Sequence, residues 1–278
     1  MNEFLPPSLI ERVERLALGI EPQDALRAMR VAQPIEIALD GVPAPTSRAL
    51  RLAPSWDRFF GFPDPLGGLA RIPRHNSCRH AFLFKPGVKS PVVIRLFDRQ
   101  RRFAPRRISY PIPAGIHSPA PPLRIRMPAL FPGAAYDLSN TATGMRGRVT
   151  WRQSVNNEEP VRWARVEARV GGNVVGRAHG DDRGEFLLLL DTSAVGLQDL
   201  SADLTVQVTV FGPPAPVPVS AGDPLADLPI EVLLADPDDV SPGGKLPPAY
   251  ASTALSSRPV TFRLGALLTG QDKFFFNP

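Results

Sequence analysis

The chain has 278 residues, 33 of them Pro and 22 Gly, with a hydrophobic fraction of 43% and a formal net charge of +5. Pro stands at more than twice its usual share of ~5%, which excludes a helical bundle, while the apolar content suffices for real cores and excludes a wholly disordered chain. At ~150 residues per domain, this length fits about two domains with connecting segments.

Charge and compartment narrow the class further. Met1 to Met127 carries 20 Lys+Arg against 10 Asp+Glu, and Pro128 to Pro278 carries 12 against 17, so one half is basic and the other acidic. Such a field steers an acidic partner toward the basic half, either nucleic acid or the acidic half of a neighbouring copy. The single cysteine, Cys78, excludes an intramolecular disulfide and suits a reducing compartment. Met1 to Pro7 lacks the basic and apolar regions of a secretory signal, so a cytoplasmic location is expected, either free or within an assembled particle. The longest obvious apolar run, Phe186 to Leu190, is far short of the ~20 residues that span a bilayer.

In chain order, residues 1–33 read as a helical arm. Leu9, Ile10, Val13, Leu16, Ala17 and Ile20 recur at three- and four-residue steps, and Ser8 with Glu11 fits a capping box. Gly19 ends this helix, and Pro22 opens a second short one carrying Ala25, Leu26 and Met29. Residues 34–113 shift to a period of two and predict a basic β-domain, with strands at Ile35–Leu39, Ala81–Phe84, Val92–Phe97 and Arg107–Ile112. Within it, Trp56, Phe59, Phe60 and Phe62 crowd a Pro/Gly-rich loop, which plugs a small core or offers a ligand-contact surface. Residues 114–143 read as a stiff proline-rich connector, although Leu123–Met127 alternates and can pair along a sheet edge.

A second β-domain is expected over 144–212. Met145–Trp151 alternates, Trp163–Val170 alternates strictly, Gly171-Gly172-Asn173 makes a tight hairpin, and Glu185–Leu190 and Leu204–Phe211 supply further strands. Gly147-Arg148-Val149, the Pro160-Val161 lead-in to Ala164-Arg165-Val166, Gly176-Arg177-Ala178 and Asp181-Asp182-Arg183-Gly184-Glu185-Phe186 together resemble the carboxypeptidase-regulatory-like, or prealbumin-like, β-sandwich. The resemblance covers about a quarter of the chain. It implies a seven-stranded Greek-key module used for assembly, adhesion or as an accessory domain, without catalytic residues. Residues 213–278 then read as an extended tail, proline-rich at Pro213–Pro218, acidic from Asp223 to Asp239, strand-like at Leu228–Leu234 and apolar at Pro259–Leu264 and Phe274–Phe276. The fold class is therefore mainly β: two sandwich-type domains with an N-terminal helical arm and a proline-rich tail.

The sharpest constellation is Asp98 to Arg107, where Arg99, Arg101, Arg102, Arg106 and Arg107 surround Phe103. Clustered guanidinium groups neutralise phosphates or pair with carboxylates, and an interleaved aromatic ring stacks a base or anchors a protein contact. His75, Cys78 and His80 match no standard zinc spacing; Asp181, Asp182 and Glu185 suit a hairpin turn as well as calcium, so no metal or cofactor is assigned. No nucleophile elbow, Walker loop, dinucleotide fingerprint or zincin motif occurs. A non-enzymatic assembly protein is the reading that follows, with phage-tail-like contractile injection particles as one setting by analogy of architecture. Its contact residues with other protein subunits are Ile10, Val13 and Leu16 in the arm, the five arginines with Phe103, and Phe262, Leu264, Phe274, Phe275 and Phe276 in the tail. Two alternatives are a carbohydrate- or surface-binding module using Trp56, Phe59 and Phe60, and a nucleic-acid binder using Arg99 to Arg107.

Overall fold

A computed structural model describes residues 15–43, 66–74, 78–84, 88–112, 124–138, 142–154, 157–191, 203–220, 222–232, 254–269 and 273–276. In chain order the strands of the first half are β1 (Leu16–Ile20), β2 (Gln23–Asp24), β3 (Met29–Arg30), β4 (Glu36–Pro43), β5 (Leu69–Arg71), β6 (His80–Leu83), β7 (Val92–Phe97), β8 (Arg106–Tyr110), β9 (Ile125–Arg126) and β10 (Ala129–Leu130). Those of the second half are β11 (Gly144–Ser154), β12 (Asn157–Pro160), β13 (Arg165–Val170), β14 (Asn173–His179), β15 (Glu185–Leu189), β16 (Asp203–Phe211), β17 (Ile230–Val232), β18 (Ala254–Arg263), β19 (Leu267–Leu268) and β20 (Lys273–Phe276). The protein is mainly β, and no α-helix occurs among the described residues.

The main correction falls on the described part of the N-terminal arm, residues 1–14 lying outside the described residues. Leu16–Ile20 is a strand, and residues 25–28, expected in a second helix, form the turn between β2 and β3. The reason is burial on both sides: Ala17, Leu18 and Ile20 are all inaccessible, and β1 lies between β6, which it pairs antiparallel, and β9, which it pairs parallel. A strand buried on both faces reads as a continuous apolar run, and over five residues its spacing cannot be told from a helical face. Gly19, expected as a helix stop, instead sits where a Cβ would stand 3.3 Å from the Ile125 side chain, a close approach between neighbouring strands. Ile10 and Val13 lie outside the described residues, and Leu16 is half-buried in β1.

The expected connector is partly core. Its residues 124–138 carry β9 and β10, which run parallel to β1 and β2, and Leu130 and Tyr136 join the apolar cluster of the first half with Ile37, Ile94, Leu96 and Ile108. Around that cluster stand a five-stranded sheet ordered β17-β8-β7-β4-β5 and the small sheets β6-β1-β9 and β10-β2-β3.

In the second half, the sheet β14-β13-β16-β18 and a sheet centred on β11 contribute to one core containing Met145, Val149, Val166, Phe186, Val208 and Phe262. One edge of β11 holds β15 and β12; the other holds the tail strands β19 and β20, whose backbone pairs Val149 with Phe274 and Trp151 with Phe276. The hairpin turns form as the glycines require, with Gly171 at φ 55 and Gly172 at φ 87. The run Phe186–Leu188 faces both ways: Phe186 and Leu188 enter this core, whereas Leu187 enters the core of the first half. The two halves therefore share β15 as a common layer, which explains an unbroken apolar stretch in an antiparallel sheet.

Candidate functional site: an arginine-lined seam

The arginine cluster occupies the β7–β8 hairpin and its flanks. Asp98, fully buried, organises the turn by accepting the backbone N–H groups of Gln100 at 3.0 Å and Arg102 at 3.1 Å, and also pairs with the Arg102 guanidinium at 3.1 Å. This local capping by a short acidic side chain is what lets five arginines stand in ten residues without collapsing the hairpin. Each of them has a carboxylate partner within the chain.

Arg99 pairs with Glu36 on the neighbouring strand β4. Arg101 reaches the second half, donating to Asp181 Oδ2 at 2.7 Å and also pairing with Asp182. Arg107 donates through Nε to Asp40 Oδ2 at 3.1 Å and through Nη1 to the carbonyls of Ala226 and Leu228, both at 3.0 Å. Arg106 is 1% exposed; its Nε and Nη2 grip Glu231 Oε2, and its Nη1 donates to Ala129 O at 2.6 Å. Phe103 is also buried, packed edge-on against Tyr136 with ring centroids 5.5 Å apart, so it belongs to the core and presents no face to a base or a partner.

The acidic side of this seam is the stretch that reads in sequence as acidic from Asp223 and strand-like from Leu228, and that carries no site role there. Asp223, Asp227 and Glu231 recur every fourth residue, with Leu225 and Leu228 fully buried between them in a cluster that includes Trp163, Leu66 and Phe97. Asp223 takes Arg95 Nη1 at 2.7 Å, and Arg95 also donates to Asp40 at 2.5 Å. Asp227 takes Arg162 at 2.6 and 2.8 Å, and that guanidinium lies 5.0 Å over the Trp163 ring. Glu231, on β17, stands between Arg106 of the first half and Arg165 of the second, the latter 0% exposed with Nη2 at 3.7 Å from Glu231 Oε1. The backbone of β17 adds a parallel edge strand to β8, with Ile230, Glu231 and Val232 opposite Arg107, Ile108 and Ser109. Residues 222–232 thus form an acidic strap across an arginine-lined groove built by both halves. A helical reading of the four-residue spacing is forbidden by Pro224 and Pro229.

Next to the groove, His179 stacks on Phe131 with centroids 4.1 Å apart. Burial, together with the charges of Arg165, Arg106 and Arg177, holds its pKa well below the usual histidine range, so it is neutral in the fold. A separate cleft of about 420 Å³ opens between Ala25–Leu26, Phe131–Pro132, β14 and β15. Its walls are apolar except for Arg177 and Asp191, and it can bury an apolar group.

The other expected contacts are dispersed. Phe262 is 0% exposed in the core of the second half and so has no surface to offer another subunit; Leu264 is half-buried. Phe274, Phe275 and Phe276 form β20 on the edge of β11, while Trp56, Phe59 and Phe60 lie outside the described residues. Asp181 Oδ1 accepts the N–H groups of Arg183 at 2.8 Å and Glu185 at 3.0 Å, so the acidic turn is spent on capping itself and holding Arg101. Cys78 donates its thiol to Ala32 O at 3.3 Å and His80 is buried in β6; among the described residues no cluster of three metal-ligand types occurs. No described helix is long and apolar enough to cross a membrane. Comparison with protein-family models, curated proteins and solved structures finds no match.

Proposed function

We propose that this chain is a non-enzymatic structural subunit that interlocks with other protein subunits of a large complex. The observation that carries the reading is the strap itself: an extended arm seated in a charged groove is the arrangement by which subunits hold one another. Ion pairs between segments more than a hundred residues apart, buried at Arg106 with Glu231 and partly buried at Arg95 with Asp223, favour a rigid building block over a hinged enzyme. Large apolar side chains remain on the surface, with Met29 at 57% and Leu26 at 45% exposure, and such groups are suited to burial against a neighbour.

Within this reading, residues 144–212 serve as the prealbumin-like sandwich module, and the protein is made and assembled in the cytoplasm. A phage-tail-like contractile injection particle is the setting that a β-rich subunit with arms and tails suits by analogy. Each arginine from Arg99 to Arg107 already holds a carboxylate of its own chain, which supports acidic protein surfaces over phosphate as the chemistry these residues are matched to. The test is the absolute mass of the intact chain by light scattering behind a sizing column, at low and at high salt. A discrete oligomer is expected, and a compact monomer of 30.2 kDa in every condition would overturn the proposal.

A further inference from the structure

We infer that the strap, residues 222–232, is the element that copies of this chain exchange, each lodging its Asp223, Asp227 and Glu231 in the arginine-lined groove of the next. The inference rests on the assembly reading above and names its partner, a second copy, and its site.

Three features of the molecule support it. First, the strap is a self-contained ligand: its hold on the body includes three carboxylates paired with four arginines, backbone carbonyls of Pro224, Ala226 and Leu228 taken by Arg162 and Arg107, two buried leucines and a three-residue parallel ladder on the edge of the β8 sheet. An edge strand added by pairing is a general mode of peptide capture, and it works equally well for a strand from another chain. Second, the strap follows a tether. Residues 214–220 are exposed, with Val217 and Val219 at the surface, and belong to no strand. Eight residues from Pro213 to Ser220 in an extended polyproline conformation reach about 25 Å, enough to hand the strap to a neighbour. Third, the groove resists standing empty. Arg106 and Arg165 are fully buried, and withdrawal of Glu231 would leave their charges without this carboxylate in a desolvated site. A strap that leaves its own groove is therefore replaced by an equivalent acidic strap, and the chemically identical one belongs to another copy. Exchange of an identical element between protomers is a low-cost route to assembly, and a head-to-tail arrangement of this kind closes into a ring or continues as a filament.

The test uses the full chain with Cys78→Ser, Ser109→Cys and Val232→Cys. Positions 109 and 232 are register partners on β8 and β17, and neighbouring strands lie about 4.8 Å apart, within disulfide range. The protein is concentrated, its mass is read by light scattering, and it is then oxidised with diamide and its mass read again under denaturing, non-reducing conditions. An oligomer that becomes covalently linked chains of twofold or higher mass is the expected result. An oligomer that yields only internally linked single chains shows the strap seated at home, which overturns the exchange while leaving the assembly reading intact. A monomer throughout overturns the assembly reading and the exchange with it. The internal link itself reports that the variant has folded with β17 on β8.

Discussion

Glu231→Gln is the sharpest perturbation of the seam. The side chain is 4% exposed and stands between Arg106 Nε at 3.1 Å and Arg165 Nη2 at 3.7 Å. The amide keeps the volume but removes the negative charge, so two buried guanidinium groups lose the charge of Glu231, while Arg106 retains its bond to Ala129 O. Breaking one side of a buried pair costs about 3–5 kcal/mol, whereas the loss of an exposed ion pair costs under about 1 kcal/mol. Against a total stability on the order of 5–15 kcal/mol, the variant loses a large share. Urea unfolding followed by tryptophan fluorescence reads the effect, because buried Trp163 packs in the cluster that holds Leu225 and Leu228. A midpoint shift equivalent to about 3 kcal/mol or more is expected; a shift equivalent to less than about 1 kcal/mol would refute the view that buried charge fixes the strap.

Acidification should weaken the fold before the carboxylates titrate. His179 has a native pKa lowered by burial, so below its ordinary value of 6.5 the unfolded chain takes up a proton that the native chain does not. Stability then falls by about 1.4 kcal/mol per pH unit from this group alone, and urea midpoints that stay flat between pH 7 and 5.5 would contradict it. Gly184 sits at φ 71 with a Cβ position 2.3 Å from Val149 O, so Gly184→Ala combines a left-handed backbone with a clash against backbone and should cost at least about 2 kcal/mol by the same assay. Phe262→Ala should cost about 3–5 kcal/mol as a core truncation, and a near-neutral result would restore Phe262 to the surface role expected from sequence. Raising salt from 0.05 to 0.5 M should change the unfolding midpoint little, since Arg95, Arg106 and Arg165 are buried from screening ions; a steep loss would mean that the seam is open to solvent.

Much of the β architecture is legible in the sequence because its strands alternate or are bounded by turn formers: Ala81–Phe84, Val92–Phe97, Arg107–Ile112 and Leu204–Phe211 all fall on or beside strands. The hairpin at Gly171–Gly172 is legible for the same reason, since two adjacent glycines supply the left-handed backbone it needs. Leu16–Ile20 is misread because a short strand covered on both faces loses the period of two. The arginine cluster is found by composition alone, yet its destination is not, because the pairs that decide it, such as Arg106 with Glu231, join residues 125 positions apart. The strap is legible as an acidic stretch with a strand in it, but its destination is not, because its acids carry a helical spacing that its prolines forbid and only the groove gives them partners.

The central claim is that carboxylates of the second half fix the arginines of the first through residues 222–232. Native-state hydrogen exchange of the backbone amides of this segment tests it most directly. The amides of Leu225, Ala226 and Leu228 are held by hydrogen bonds to Asp223 Oδ1, Asp223 O and Leu225 O, and β17 is laddered to β8. Slow exchange of these amides, at the rate of the β8 amides and lost together with them in Glu231→Gln, is the expected result. Exchange as fast as that of the exposed span 214–220 would contradict the claim.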